Sequence, residues 1–82
     1  MKYMVEFSLQ PGRASKAVEL FETRGPNRNP GVTFRSAWIG AESDLIFALV
    51  ESGDESHVAA AAQTWSESDE YRITRVIDIE QF

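Results

Sequence analysis

The chain has no cysteine, a single histidine, few basic residues and no apolar run longer than six residues. Without cysteine there is no disulfide framework, no thiolate nucleophile and no cysteine-based metal site. With His57 alone there is neither a His-rich metal site nor the makings of a Ser-His-Asp triad. No stretch approaches the roughly eighteen apolar residues that cross a bilayer, and the start, Met-Lys-Tyr-Met-Val-Glu, lacks a long apolar segment. The expectation is a soluble, cytoplasmic protein with no membrane partner. Eight basic against thirteen acidic residues give a net charge of −5, which argues against nucleic-acid partners, because those need phosphate neutralisation. No stretch carries the Gly-Phe-Val signature of an RNA-recognition domain. Gly12 and Gly25 are isolated, so no glycine loop is present to cradle a phosphate.

What is present is patterned. Residues 45–51, Leu-Ile-Phe-Ala-Leu-Val-Glu, place six apolar side chains in succession, so as a strand this stretch needs cover on both faces. A chain of 82 residues can lay two helices over one face of a small sheet and has little left for the other. A domain near this size buries only about 60–65% of the surface its unfolded chain exposes, so a second apolar face hidden in an assembly would matter to its stability. The simplest assembly is a homodimer. Residues 1–41 hold six basic and three acidic side chains, and residues 42–82 hold two and ten. That asymmetry suits a pairing in which unlike halves meet, although exposed charges contribute little individually.

Along the chain, residues 2–9 alternate, with Tyr3, Val5, Phe7 and Leu9 on one face and Lys2, Met4, Glu6 and Ser8 on the other, the period of a strand. Ala14, Ala17, Val18 and Phe21 then draw a helical stripe, which predicts a helix over residues 12–24. Residues 25–31, rich in Gly, Pro and Asn, predict a surface loop. Residues 32–39 read as a second strand with blurred alternation, so its inward face stays open. The polar stretch at 40–44 reads as a hairpin into the central run. Residues 52–56 offer turn and cap residues, and Val58, Ala61, Ala62 and Trp65 form a second helical stripe. Residues 66–70 break that pattern. Residues 71–79 resume strand alternation, with Tyr71, Ile73, Ile77 and Ile79 on one face and Arg75 as the exception.

The order strand, helix, strand, strand, helix, strand, with right-handed crossovers, predicts an α+β, ferredoxin-like βαββαβ domain over residues 1–82. Its four-stranded antiparallel sheet has order 4-1-3-2, with both helices on one face. Pro11-Gly12, Pro30-Gly31-Val32, Trp38, Phe47-Ala48-Leu49-Val50-Glu51 and Trp65 resemble a small bacterial domain-of-unknown-function family of the dimeric α+β barrel superfamily. The resemblance spans essentially the whole chain. It implies that two such sheets pair face to face as a dimeric α+β barrel. Ile39 stands where that family often has histidine, and Glu67 where it often has aspartate. Relatives on the wider fold include cofactor-independent monooxygenases, muconolactone isomerase-like enzymes and chlorite-dismutase-like haem proteins, and fold alone does not choose among them.

Two functional expectations follow. In the first, a homodimeric module encloses a cavity for a small apolar or aromatic ligand, with Met4, Glu6, Arg35, Trp38, Trp65 and Tyr71 as candidate lining. The aromatics among them equally serve as core anchors. In the second, the same pocket is a cofactor-independent monooxygenase or isomerase acting on an aromatic or polyketide-like substrate, with Glu6 or His57 as acid or base. Glu6 alternatively pairs with Arg35 or Arg75 as a structural ion pair. No metal and no cofactor is expected; for haem, His57 in the first turn of a helix would be the sole histidine ligand.

Overall fold

The structure, a computed structural model, describes residues 1–24, 29–66 and 70–82. In chain order these form β1 (Lys2–Ser8), α1 (Ala14–Arg24), β2 (Val32–Ile39), β3 (Leu45–Ser52), α2 (Glu55–Ser66) and β4 (Glu70–Val76), followed by a 3-10 turn at Ile79–Gln81. Most of the loop expected at 25–31, and Glu67 within the 66–70 break, fall outside the described residues. Among the described residues, no helix is long and apolar enough to cross a membrane.

The four strands make one antiparallel sheet of order β2-β3-β1-β4, the expected order read from the other edge. Residues directly opposite in a ladder share a face, so the register sorts the side chains. Tyr3, Val5 and Phe7 stand opposite Val50, Ala48 and Ile46 on β3; on β4, Ile73 and Tyr71 stand opposite Val5 and Phe7. This is the face the helices cover. Val58, Ala61, Ala62 and Trp65 of α2 are buried with these residues, and Ala14, Ala17 and Phe21 of α1 pack against them. Alanines at 61 and 62 let α2 approach the sheet closely.

The uncertain parity of β2 has a physical cause. Phe34 pairs with Val50 but Ser36 pairs with Leu49, so one residue, Arg35, is inserted at a β-bulge. Before the bulge Val32 and Phe34 face the helices; after it Ala37 and Ile39 do. No single alternation runs through the strand.

Two boundaries differ from expectation. The first helix starts at Ala14 rather than residue 12, because Gly12 has φ +81°, a left-handed conformation outside the helical region. The last strand ends at Val76, where Val76 meets Lys2 on the final rung of the β1–β4 ladder. Ile77 and Ile79 therefore leave the sheet and are exposed, while Lys2 Nζ holds Asp78 Oδ1 at 3.0 Å beside the strand end.

Gly31 also has positive φ, +77°, and a Cβ there would run into the imidazole of His57. Gly31→Ala is therefore expected to lower stability by about 1–2 kcal/mol, the cost of a left-handed L-residue, plus displacement of His57. Urea denaturation with an unchanged midpoint would contradict this assignment.

Candidate functional site

The face of the sheet turned away from the helices reads row by row across the strands. One row runs Trp38, Phe47, Glu6, Arg72; the next runs Ser36, Leu49, Met4, Thr74. Leu45 sits one rung beyond Phe47 on the same side. Phe47, Leu49, Leu45 and Met4 are only partly buried, and Trp38 on the edge strand is 51% exposed. The doubly apolar strand thus has one covered row, Ile46, Ala48 and Val50, and one row with no cover from its own helices.

Charge of both signs borders this apolar face. Glu6 stands opposite Arg72, not against either arginine expected as its partner. Arg75 is opposite Tyr3 on the helix side. Arg35, at the bulge, donates from Nε and Nη2 to the two oxygens of Glu51 at 2.9 and 3.2 Å. The hydrogen bonds from Arg35 hold the Glu51 carboxyl below its ordinary range, and the same contact raises Arg35.

A second feature lies on the helix side. A cleft of about 300 Å³ separates α1 from the β2–β3 end of the sheet and ends against Trp65 of α2. Its origin is the composition of the α1 stripe. Phe21 packs edge-on against Trp65 and tilted against Phe34, at 5.3 Å each, and holds one end of the helix at ring distance. Toward the other end the stripe carries the smaller Ala14, Ala17 and Val18, which fill less of the space this leaves. Trp65 is 4% exposed, and its Nε1 is closed to solvent with no hydrogen-bond partner among the described residues. An unsatisfied buried donor of this kind costs about 1–3 kcal/mol.

The sheet therefore divides the residues expected to form one pocket. Met4, Glu6 and Trp38 lie on the uncovered face. Trp65 and Tyr71 lie on the helix side, where Tyr71 packs on Phe7 and its hydroxyl accepts from Gln63 Nε2 at 3.4 Å. Trp38, on the outermost strand, borders both regions. His57 is exposed in the first turn of α2 beside Gly31 and lines neither. Arg72, Val18 and Phe21 are residues of these regions that the sequence pattern does not single out as site residues. Arg72 is visible only through the strand register, whereas Val18 and Phe21 were already on the helical stripe. Among the described residues, no cluster of His, Asp and Glu is placed to hold a metal ion.

At the start of α2, the Asp54 carboxylate accepts the backbone N–H of Ser56 at 2.9 Å, an N-cap. That bond, helped by the Ser56 hydroxyl and the nearby His57, keeps Asp54 below the ordinary aspartate range. For Asp54 and Glu51 alike, a folded pKa below the unfolded one means stability present above the unfolded value and lost as pH falls through the folded one. The melting temperature is thus expected to drop between about pH 5 and pH 3, the carboxylate range. Asp54→Asn should flatten that drop; melts of equal slope in both proteins would refute the assignment.

With the sheet order, the shared helix face and the bulged edge strand in place, the fold is that of a ferredoxin-like α+β domain. The chain belongs to the family described as Domain of unknown function (DUF3303), whose model matches residues 1–82. Its structure is similar to that of an uncharacterized NIPSNAP domain protein from Burkholderia xenovorans, with a TM-score of 0.59, 13% identity and 95% of each chain covered. At that identity the likeness concerns fold alone. No curated protein matches the chain.

Proposed function

We propose that this protein works as a homodimer in which the two uncovered sheet faces meet and enclose a space for a small apolar or aromatic molecule. The observation that carries the reading is the row Leu45, Phe47 and Leu49 with Met4 and Trp38, an apolar surface at the centre of the sheet that the chain's own helices leave open. Contiguous apolar surface of this kind marks an interaction site. A second copy is favoured as its cover because the bordering charges, Lys2, Glu6, Glu51 and Arg72, include both signs on one face. Under a two-fold axis such a surface can complement itself. Ile79 and Phe82, almost wholly exposed, add apolar area beside the Lys2 end. Phe47 and Trp38 would stack against an aromatic ligand held between the sheets.

Light scattering over a dilution series tests this. The expected mass is twice the 9.2 kDa of the chain down to low micromolar concentration. A mass of 9.2 kDa throughout would end the reading. An enzymatic role through Glu6 gains little from the arrangement, since Arg72 faces it and His57 lies on the far side of the sheet.

A further inference from the structure

Among the described residues, the large apolar side chains left exposed form two groups: Met1, Ile77, Ile79 and Phe82, and Trp38 with Ile39. The ladders place the two groups at diagonally opposite corners of the sheet. Ile77 and the residues after it follow the last rung of β4, where Val76 meets Lys2, and β4 is one edge strand. Ile39 pairs with Ile46, which stands beside Phe7, at the far end of β2, the other edge strand. The corners are separated across the sheet by the spacings β4 to β1, β1 to β3 and β3 to β2, and along it by the residues from Lys2 to Phe7. By standard strand dimensions that diagonal is roughly 22 Å.

The segment after β4 has a fixed backbone and no cover for its apolar side chains. Lys2 holds Asp78 at 3.0 Å, and the carbonyl oxygens of Asp78 and Ile79 accept the N–H groups of Gln81 and Phe82 at 2.9 and 3.1 Å. Yet the turn so formed has no buried residue, and Ile79 and Phe82 are 92% and 101% exposed. Side chains presented from an already ordered backbone lose less conformational entropy when a partner covers them. The far corner of the same sheet is out of reach, because the residues from Asp78 to Phe82 span at most about 14 Å. The segment also emerges toward the face that the helices leave open. Glu51, Lys2 and Val76 form the last row of that face, and it is Lys2 that takes Asp78.

We propose that Ile79 and Phe82 of each chain pack on Trp38 and the exposed flank of Ile39 of a second copy, an inference that rests on the face-to-face homodimer of the proposed function. Trp38 lies on the open face and Ile39 beside it at the free edge of β2, so one segment arriving from the facing sheet covers both. A single two-fold axis makes the contact twice, and the interface closes on itself. For one chain's β4 corner to lie over the other's β2 corner, the axis runs between the sheets at right angles to the diagonal that joins the corners. The strands of the two sheets then cross near a right angle, which is the orthogonal mode of sheet packing.

The test uses the full chain in a dimer mixed from isotope-labelled and unlabelled copies. Filtered nuclear Overhauser spectra should connect the Ile79 methyls of one copy to the Trp38 indole ring of the other, with Trp38→Phe assigning the indole signals. The double variant Ile79→Ser, Phe82→Ser alters side chains that are exposed in the single chain, so its circular dichroism should match the parent. Its dimer dissociation constant should rise at least about a hundredfold, since each dimer loses four buried apolar side chains. An unchanged dissociation constant would overturn the proposal. A dimer in which Ile79 shows no contact with Trp38 of the other copy would overturn it and leave the pairing of the sheets standing. Contacts from Ile79 to Thr33 of the other copy would do the same, because they require an axis parallel to the strands; contacts to Glu70 would require one perpendicular to them. A chain that stays monomeric at every concentration would end the proposal together with the homodimer itself.

Discussion

Leu49→Asp is expected to convert the proposed dimer into a folded monomer. Leu49 lies on the central strand β3, opposite Met4 and Ser36, on the face without helices. In the isolated chain the new carboxylate would remain hydrated and the ladder would be untouched. In the proposed dimer it would be enclosed at the centre of the interface, twice by symmetry. An unpaired charge in such a place costs several kcal/mol, and about 4 kcal/mol corresponds to a dissociation constant raised about a thousandfold. Light scattering should give the 9.2 kDa chain mass at concentrations where the parent gives twice that, with the far-ultraviolet circular dichroism retained. A variant that still dimerises would move the interface elsewhere; the exposed segment of Ile77, Ile79 and Phe82 would be the next place to examine.

Val50→Asp, one residue along, should instead abolish folding. Val50 is fully buried, stands between Phe34 and Tyr3 in its ladders, and belongs to the core that α2 closes. A carboxylate there has no partner and no route to water, and the penalty of several kcal/mol is comparable to the roughly 5–15 kcal/mol that hold a typical domain together. The expected readout is a collapsed amide spectrum at pH 7. A well-dispersed native spectrum at that pH would show that the core at β3 yields more than the packing indicates. Neighbouring residues with equally apolar side chains thus separate assembly from folding, because a strand sends successive side chains to opposite faces.

The two sides of the sheet place separate demands on the sequence. Pairing uses the odd-numbered residues of β3 and Met4 of β1; the cleft uses Ile46, Phe7 and the small residues of α1. A substitution among these residues on one side of the sheet can therefore alter pairing without disturbing the helix-side packing, and the reverse. Gly31 and Asp54 belong to neither. They fix how β2 begins and how α2 starts, and their replacement should change stability while both sides keep their chemistry.

Much of this was legible from the residues alone. Alternation in β1, the stripes at Ala14, Ala17, Val18, Phe21 and at Val58, Ala61, Ala62, Trp65, and the uninterrupted apolar run of β3 each state a local periodicity, and periodicity is set by backbone geometry before any tertiary contact forms. Those patterns determined the element order, the central position of β1 and β3 and the existence of an apolar face in need of cover. Tertiary structure decided the rest. The bulge at Arg35 depends on how two strands are paired, so no reading of β2 by itself assigns its faces. The end of β4 at Val76 is set by where β1 runs out of ladder, although Ile77 and Ile79 continue the alternation. Arg72 rather than Arg35 or Arg75 faces Glu6 because register, not charge, selects cross-strand neighbours. Trp65 and Trp38 came to lie on different sides of the sheet, and the cleft arose from the difference between Phe21 and Ala17 on one helix, because both outcomes depend on the distance between layers, a quantity that residue order does not contain.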